Sequence, residues 1–539
     1  MNVAIIDSTG VFDPRGTMIT ALGSTSYKAE LAVSAALKPG RYRGALTVRL
    51  CLDDANICQR PFEGSSWQIP FDIQVKSWLE PRTVHKLLAA EVGIPLTWAP
   101  NLSRLTKTIT VSDNLGQASR WEARSNQPWL TVTPSGAAGE TLNVQADPSS
   151  LPANSLTYAT ISVSSPDASV TPAQPIVVGF WKSGDAIKQI PSKSSVPSEY
   201  RRTVADAIRP YVYAHADGSQ IDAYNIYTGA LVGSLSAPGS SFGKMIVSPE
   251  GDFLYALDST SSQVKVFDLR AGKLSASWPL ITALDAHRSA LFDMVYARPN
   301  GVGVVVMTTG QIMRAADGKV LGAEVAQPVR WWESSSDLQS SYLAASPDGN
   351  RIYSTDSRQH SPNTPFYWDI DYSEASGGTL SFTKSYAANL SGGNDQRLPQ
   401  AGGIALSRDG KRVLMLSYQG GISVWSPSDL SRMGMLGSER QYEDGTLLVT
   451  ADGNVIVEPM TYGTFSGPAF RVLAPDGTLL RTVNTSFSAS VVQGGSNTGI
   501  STWVSRMAVS ADGVIGIQRG YYQTDAGFRY LLTFTPIVP

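Results

Sequence analysis

Charge is scarce in this chain: Asp, Glu, Lys and Arg make up 16% of its 539 residues and leave a formal net charge of -2. A balance so close to neutral gives no electrostatic case for nucleic acid as a partner, or for an anionic membrane surface. Histidine is scarcer still. Four residues (His85, His215, His287 and His360) leave little material for a histidine-rich metal centre or a histidine base. No apolar run approaches the roughly 18 residues a spanning helix needs, so membrane insertion is not expected. No secretory leader is visible either, because a strand-like pattern (NVAIIDSTGVF) begins directly after Met1. An exported form is therefore expected to have lost its leader already.

Several catalytic signatures are also missing. There is no G-x-S-x-G elbow, no H-E-x-x-H pair, no G-x-x-x-x-G-K-[ST] phosphate loop and no S-x-D-x-G-x-x-W box. A D-x-[DN]-x-[DN]-G calcium loop is absent too. No catalytic residue, metal or cofactor is assigned on this basis.

Cysteine occurs twice, as Cys51 and Cys58 in VRLCLDDANICQRPF, with six residues between them. The flanks alternate like two strands across a polar turn, so the expected arrangement is a disulfide stapling a hairpin in an oxidising compartment. Two buried thiols in a cytosolic protein is the bland alternative. Zinc is disfavoured because no second ligand pair lies nearby. Asp53, Asp54 and Asn56 in the same turn suit a solvated hairpin tip as well as a cation.

What the chain does have is turn and strand chemistry: 48 Gly, 32 Pro, 21 Tyr and 12 Trp. Such a composition suits short strands joined by many turns. The length predicts about three domains. Residues 1–78 read as alternating strands (VAIID, YKAELAVS, YRGALTVRLCL, WQIPFDIQV) of an antiparallel sandwich. Residues 79–185 read as a second sandwich, in which Trp121 and Trp129 point inward as core aromatics. Residues 186–200, rich in Ser, Pro and Lys, read as a linker. Residues 201–539 repeat. IVSPEGDFLYALD, VYARPNGVGVVVM, AASPDGNRIYSTD, ALSRDGKRVLMLS, LVTADGNVIVEPM and AVSADGVIGIQRG each place a Gly-containing turn between two apolar strands. A further unit, PYVYAHADGSQIDAYNIYTGALVGSL, lacks a clear first strand. Four strands per unit is the arithmetic of a β-propeller blade, and seven blades is the preferred count. The last unit is one strand short, so a strand from about 186–208 is expected to close the ring. The predicted fold is therefore all-β, with two immunoglobulin-like sandwiches followed by a propeller.

Three resemblances accompany these patterns. LKPGRYRGALTVRLC followed by SSWQIPFDIQV resembles immunoglobulin-like modules of bacterial surface proteins. The runs RWEARSNQPWLTVTP and TYATISVSS resemble the BACON family of extracellular modules, which implies a bacterial exported protein and an association with carbohydrate or mucin binding. The SPDG-type turns resemble the YVTN and TolB-like propellers, whereas the Gly-His and Trp-Asp signatures of WD repeats are absent.

Turn lengths are asymmetric within the repeats. First-to-second and third-to-fourth connections are tight, while second-to-third and inter-blade connections are often long. The long ones should gather on one face around the channel mouth, where binding residues tend to sit. They carry Trp331, Trp332 and Glu333; Arg358 and His360; Asn394, Asp395 and Arg397; Tyr462 and Phe465; and Tyr521 and Tyr522. Aromatics beside planar polar groups suit sugar rings and hydroxyls, and equally suit protein anchors. The expected function is non-enzymatic recognition of a glycan or protein ligand, in a secreted, cell-surface or periplasmic setting, with the sandwiches as spacer or assembly modules. Two alternatives stand beside it. One is self-association through strand edges, such as VAIID or the incomplete last blade, into a filament or surface layer. The other is a lactonase-like or polysaccharide-active propeller enzyme drawing on Glu333, Asp293, Asn394 or Asp395.

Overall fold

The computed structural model describes residues 2–21, 23, 26–34, 37, 40–53, 58–75, 84–191, 200–281, 293–307, 311–321, 342–355, 365–373, 379–387, 399–417, 421–436, 446–450, 452–458, 469–484, 498–499, 507–524 and 527–537. It is all-β, and it divides into two compact units, 1–83 and 84–539.

The first unit is built from strands β1 (Asn2–Ile6), β2 (Phe12–Ala21), β3 (Tyr27–Val33), β4 (Gly40–Cys51) and β5 (Trp67–Val75). They form a three-stranded sheet in the order β1-β4-β5 and a β2-β3 hairpin. Register puts Val3, Ile5, Leu46, Val48, Trp67, Ile69 and Phe71 on one face, because alternate residues of paired strands share a side. The other face carries Arg41 and Arg43, both paired to Asp72. Phe12 packs edge-on against Phe71, with ring centroids 5.1 Å apart. Cys51 and Cys58 are joined as expected, with Cα atoms 5.4 Å apart.

The second unit opens with the sandwich whose strands are β6 (Leu87–Ala89), β7 (Gly93–Ala99), β8 (Leu102–Arg104), β9 (Thr106–Asp113), β10 (Arg120–Ser125), β11 (Leu130–Val132), β12 (Ser135–Ala137), β13 (Thr141–Ala146), β14 (Ser155–Ser164) and β15 (Ile176–Lys182). Sheets β12-β10-β14-β15-β7-β8 and β11-β13-β9-β6 enclose one core. Trp121 and Trp129 both lie in that core, at 1% and 5% exposure, so they are packing residues rather than ligand platforms.

Seven antiparallel sheets follow. Their innermost strands are Arg202–Ala205, Phe242–Val247, Met294–Ala297, Tyr342–Ala345, Pro399–Leu406, Thr446–Val449 and Met507–Val509. Each touches the next, and the last touches the first, which closes a seven-bladed propeller. The unit lacking a clear first strand takes Arg202–Ala205 for that role. The stretch read as a linker supplies β16 (Ile190–Pro191), which pairs with Phe534 and Thr533 as the outer strand of blade 7. The predicted closure therefore occurs within the chain.

The recurring turn has a definite chemistry. In Ser346–Gly349, Ser407–Gly410 and Ser510–Gly513 the Gly N–H donates to the Ser carbonyl at 2.8 Å, and the Ser hydroxyl donates to the intervening Asp. The same Ser hydroxyl oxygen accepts the N–H of Arg351, Arg412 or Ile515, at or next to the start of the second strand, at 2.9 Å in all three. Each Gly sits at positive φ (72°, 67° and 75°), where a side chain would be strained.

Candidate functional site

The first-to-second-strand turns of all blades open on one end of the ring, and the second sandwich sits there. It reaches the turns of six of the seven blades. Gly179 lies against the Ile208 carbonyl of blade 1 and Gly93 against the Pro249 carbonyl of blade 2. Leu88 packs at Gly301 of blade 3, where Arg298 also donates to the Ala89 carbonyl and to Gln174, each at 3.2 Å. Glu91 pairs with Arg408 of blade 5, and Arg104 with Asp452 of blade 6 at 2.7 Å. Thr97 donates to Asp512 of blade 7 at 2.7 Å.

This docking face follows from strand alternation. On β7 and β15 the residues Ile94, Leu96, Val178 and Phe180 fill the sandwich core. Their alternates Gly93, Pro95, Thr97, Gly179 and Trp181 face the propeller, together with Tyr158 of β14, which is paired to Gly179. The two glycines let backbone meet backbone. Tyr158 accepts from Arg209 Nε at 2.9 Å, and Arg209 also pairs with Asp206 at 3.0 Å, with both side chains buried. Sequence reasoning passed over these residues. Their signal was the strand IVVGFWK, which is apolar at successive rather than alternate positions and so reads as buried on both faces. The cavity at this junction, lined by residues including Pro95, Thr97, Trp181, Tyr227 and Asp512, measures about 10 Å³, room for a single water at most.

The opposite end of the ring is where the sequence placed its binding residues. The stretches 356–364 and 459–468 join second to third strands, and 322–341 and 388–398 lead into the innermost strand of the next blade. Both kinds of strand end lie away from the sandwich. Trp331, Trp332, Glu333, Arg358, His360, Asn394, Asp395, Arg397, Tyr462 and Phe465 themselves fall outside the described residues. Tyr521 and Tyr522, expected on a long connection, instead have their backbone on the strand Ile515–Thr524, at register positions opposite Tyr530 and Arg529, because the hairpin pairing with Gly527–Pro536 extends through them.

At the described part of this mouth, Asp293 is 6% exposed. Its carboxylate accepts from the Met294 and Leu343 N–H groups at 3.0 and 2.8 Å and pairs with Lys244 at 2.7 Å. It thus ties blades 2, 3 and 4 together, a strut rather than a group poised over the channel. His215 spends Nε2 on the Gly243 carbonyl at 2.7 Å and Nδ1 on the Asp217 N–H at 3.1 Å, which again links neighbouring blades.

Among the described residues one Ser-His-Asp cluster lies in the sandwich. His85 Nε2 lies 2.6 Å from Asp113 Oδ2, and Ser119 Oγ lies 3.3 Å from the same nitrogen while donating to the same carboxylate oxygen. A nucleophile needs its base and its orienting acid on opposite ring nitrogens. Here they share one, so the cluster is structural. Burial acts to raise the Asp113 pKa, but hydrogen bonds from Ser119, His85, Leu115 and Gln117 outweigh it and hold the carboxyl below its ordinary range. Cys51, Asp53 and Cys58 lie close enough to suggest a metal cluster, but the sulfurs are spent in the disulfide.

The sequence matches no protein-family model, and a search of curated proteins finds no match. Among the described residues no helix is long and apolar enough to cross a membrane.

Proposed function

We propose that this is an exported, non-enzymatic recognition protein whose looped propeller face binds a glycan or protein ligand. The observation that carries this reading is the position of the second sandwich. It occupies the tight-turn face, so the face entered by the long, aromatic- and amide-rich connections is the one it leaves uncovered. The disulfide supports an oxidising location, and the resemblance to BACON modules and YVTN-type propellers supports a bacterial extracellular setting. Asp293, one of the carboxylates an enzyme would recruit, is committed to holding blades together. The test is binding of the full-length protein to a glycan array and to a panel of extracellular proteins, repeated with the double variant W331A/W332A. A ligand whose affinity falls at least tenfold in the variant at unchanged melting temperature is the expected result. Turnover of a lactone or polysaccharide by the wild type would sink the proposal.

A second reading, assembly, is favoured by one observation. Among its described residues the first unit buries Val11, Leu46 and Cys51 and leaves Ile6, Ile19, Tyr27, Val33, Phe62, Trp67 and Ile69 exposed. Ordered arrays by electron microscopy, lost in a W67S/I69S variant, would establish it; monodisperse particles at all concentrations would remove it.

A further inference from the structure

We infer that the second sandwich is the clasp of the propeller ring, holding blade 7 to blade 1 across the seam where the ring begins and ends. The seam needs one. Its in-chain closure, β16, pairs Ile190 and Pro191, among the described residues, with Phe534 and Thr533 of the strand Gly527–Pro536.

The sandwich bridges the same seam with side chains of its own. Asp512 stands in the Ser-x-Asp-Gly turn of blade 7, and its Oδ1 takes the Ser510 hydroxyl at 2.5 Å, the arrangement that Asp348 and Asp409 repeat in blades 4 and 5. Those two acids are exposed; Asp512 is 8% exposed. Its Oδ2 accepts from Thr97 of the sandwich and from Tyr227 of blade 1, so one carboxylate oxygen joins three bodies. Burial, reinforced by the Asp512 charge, pushes the Tyr227 pKa well above its ordinary value and keeps that hydroxyl a donor. Trp181 of the sandwich stacks on Tyr227, with planes within 6° and centroids 6.4 Å apart. The same cluster holds Val212, Ala214, Tyr224 and Ile226 of blade 1 and Val514, Ile515, Ile517, Leu532 and Phe534 of blade 7. The core of the seam is therefore completed by a side chain from outside the propeller.

The experiment is hydrogen exchange by mass spectrometry on the full-length protein, comparing wild type with W181A and with the milder T97V. In W181A, exchange in 190–191, 211–215 and 527–536 should rise at least tenfold while the blade 5 strand Val413–Ser417 stays protected. T97V should move the same segments in the same direction by less. A rise confined to residues 84–185, or one equal in every blade, would overturn the inference. Should W181A fail to fold, T97V decides alone by the same criterion.

Discussion

Substituting Gly93 by alanine should undock the sandwich from the propeller and so loosen the seam between blades 7 and 1. An ideal Cβ at this position would lie 1.7 Å from the Pro249 carbonyl oxygen and 2.9 Å from Ile208 Cγ2. Real Cβ atoms are essentially never closer than 3.0 Å, so the two surfaces must part by at least 3.0 − 1.7 = 1.3 Å. The obstacle is backbone, which has no rotamer to escape into. A parting of that size would stretch the Thr97–Asp512 bond from 2.7 to about 4.0 Å, beyond hydrogen-bonding range. The Arg209–Tyr158 contact, at 2.9 Å, would open with it. Each of these bonds involves a charged group and contributes about 1.5–3 kcal/mol. The expected loss is therefore about 3–6 kcal/mol, against a gain of about 0.5–1 kcal/mol from replacing glycine in a strand. Urea unfolding followed by tryptophan fluorescence should show an earlier midpoint and two separated transitions, with Trp181 exposed in the first. A G93A protein that unfolds in one step within about 0.5 kcal/mol of wild type would refute the reasoning.

Two further outcomes follow from the disulfide and the buried carboxylate. Reducing Cys51–Cys58 opens a short loop and should cost the first unit about 2–3 kcal/mol, so calorimetry with reductant should lower its transition and leave that of 84–539 in place. The folded pKa of Asp113 is depressed, so its contribution is fully present above the ordinary value of 3.8 and is lost as pH falls through the lower folded value. Chemical denaturation from pH 6 downward should show that loss, and Asp113→Asn should be less stable at neutral pH with a flatter acid limb.

Periodicity made the architecture legible. Apolar alternation between Pro and Gly turns specified strands, and the S-P-D-G run specified its own hairpin, because Ser, Asp and Gly each satisfy one requirement of that turn. Seven such units, one short of a strand, even implied that the chain must lend an edge from upstream. Trp121 and Trp129 were readable as core from the spacing around them. Asp293, by contrast, looked like an available carboxylate, because nothing local records that its partners come from blades 2, 3 and 4.

Local sequence therefore determined the strands, the turns, the blade repeat and the disulfide, since each depends on residues within about one hairpin of each other. Tertiary structure alone decided where the sandwich sits. Thr97 and Asp512 are 415 residues apart, and Thr97 and Tyr227 are 130 apart. No spacing rule connects such groups. Their meeting depends on how a ring of blades closes, and on two glycines flat enough to let another backbone approach.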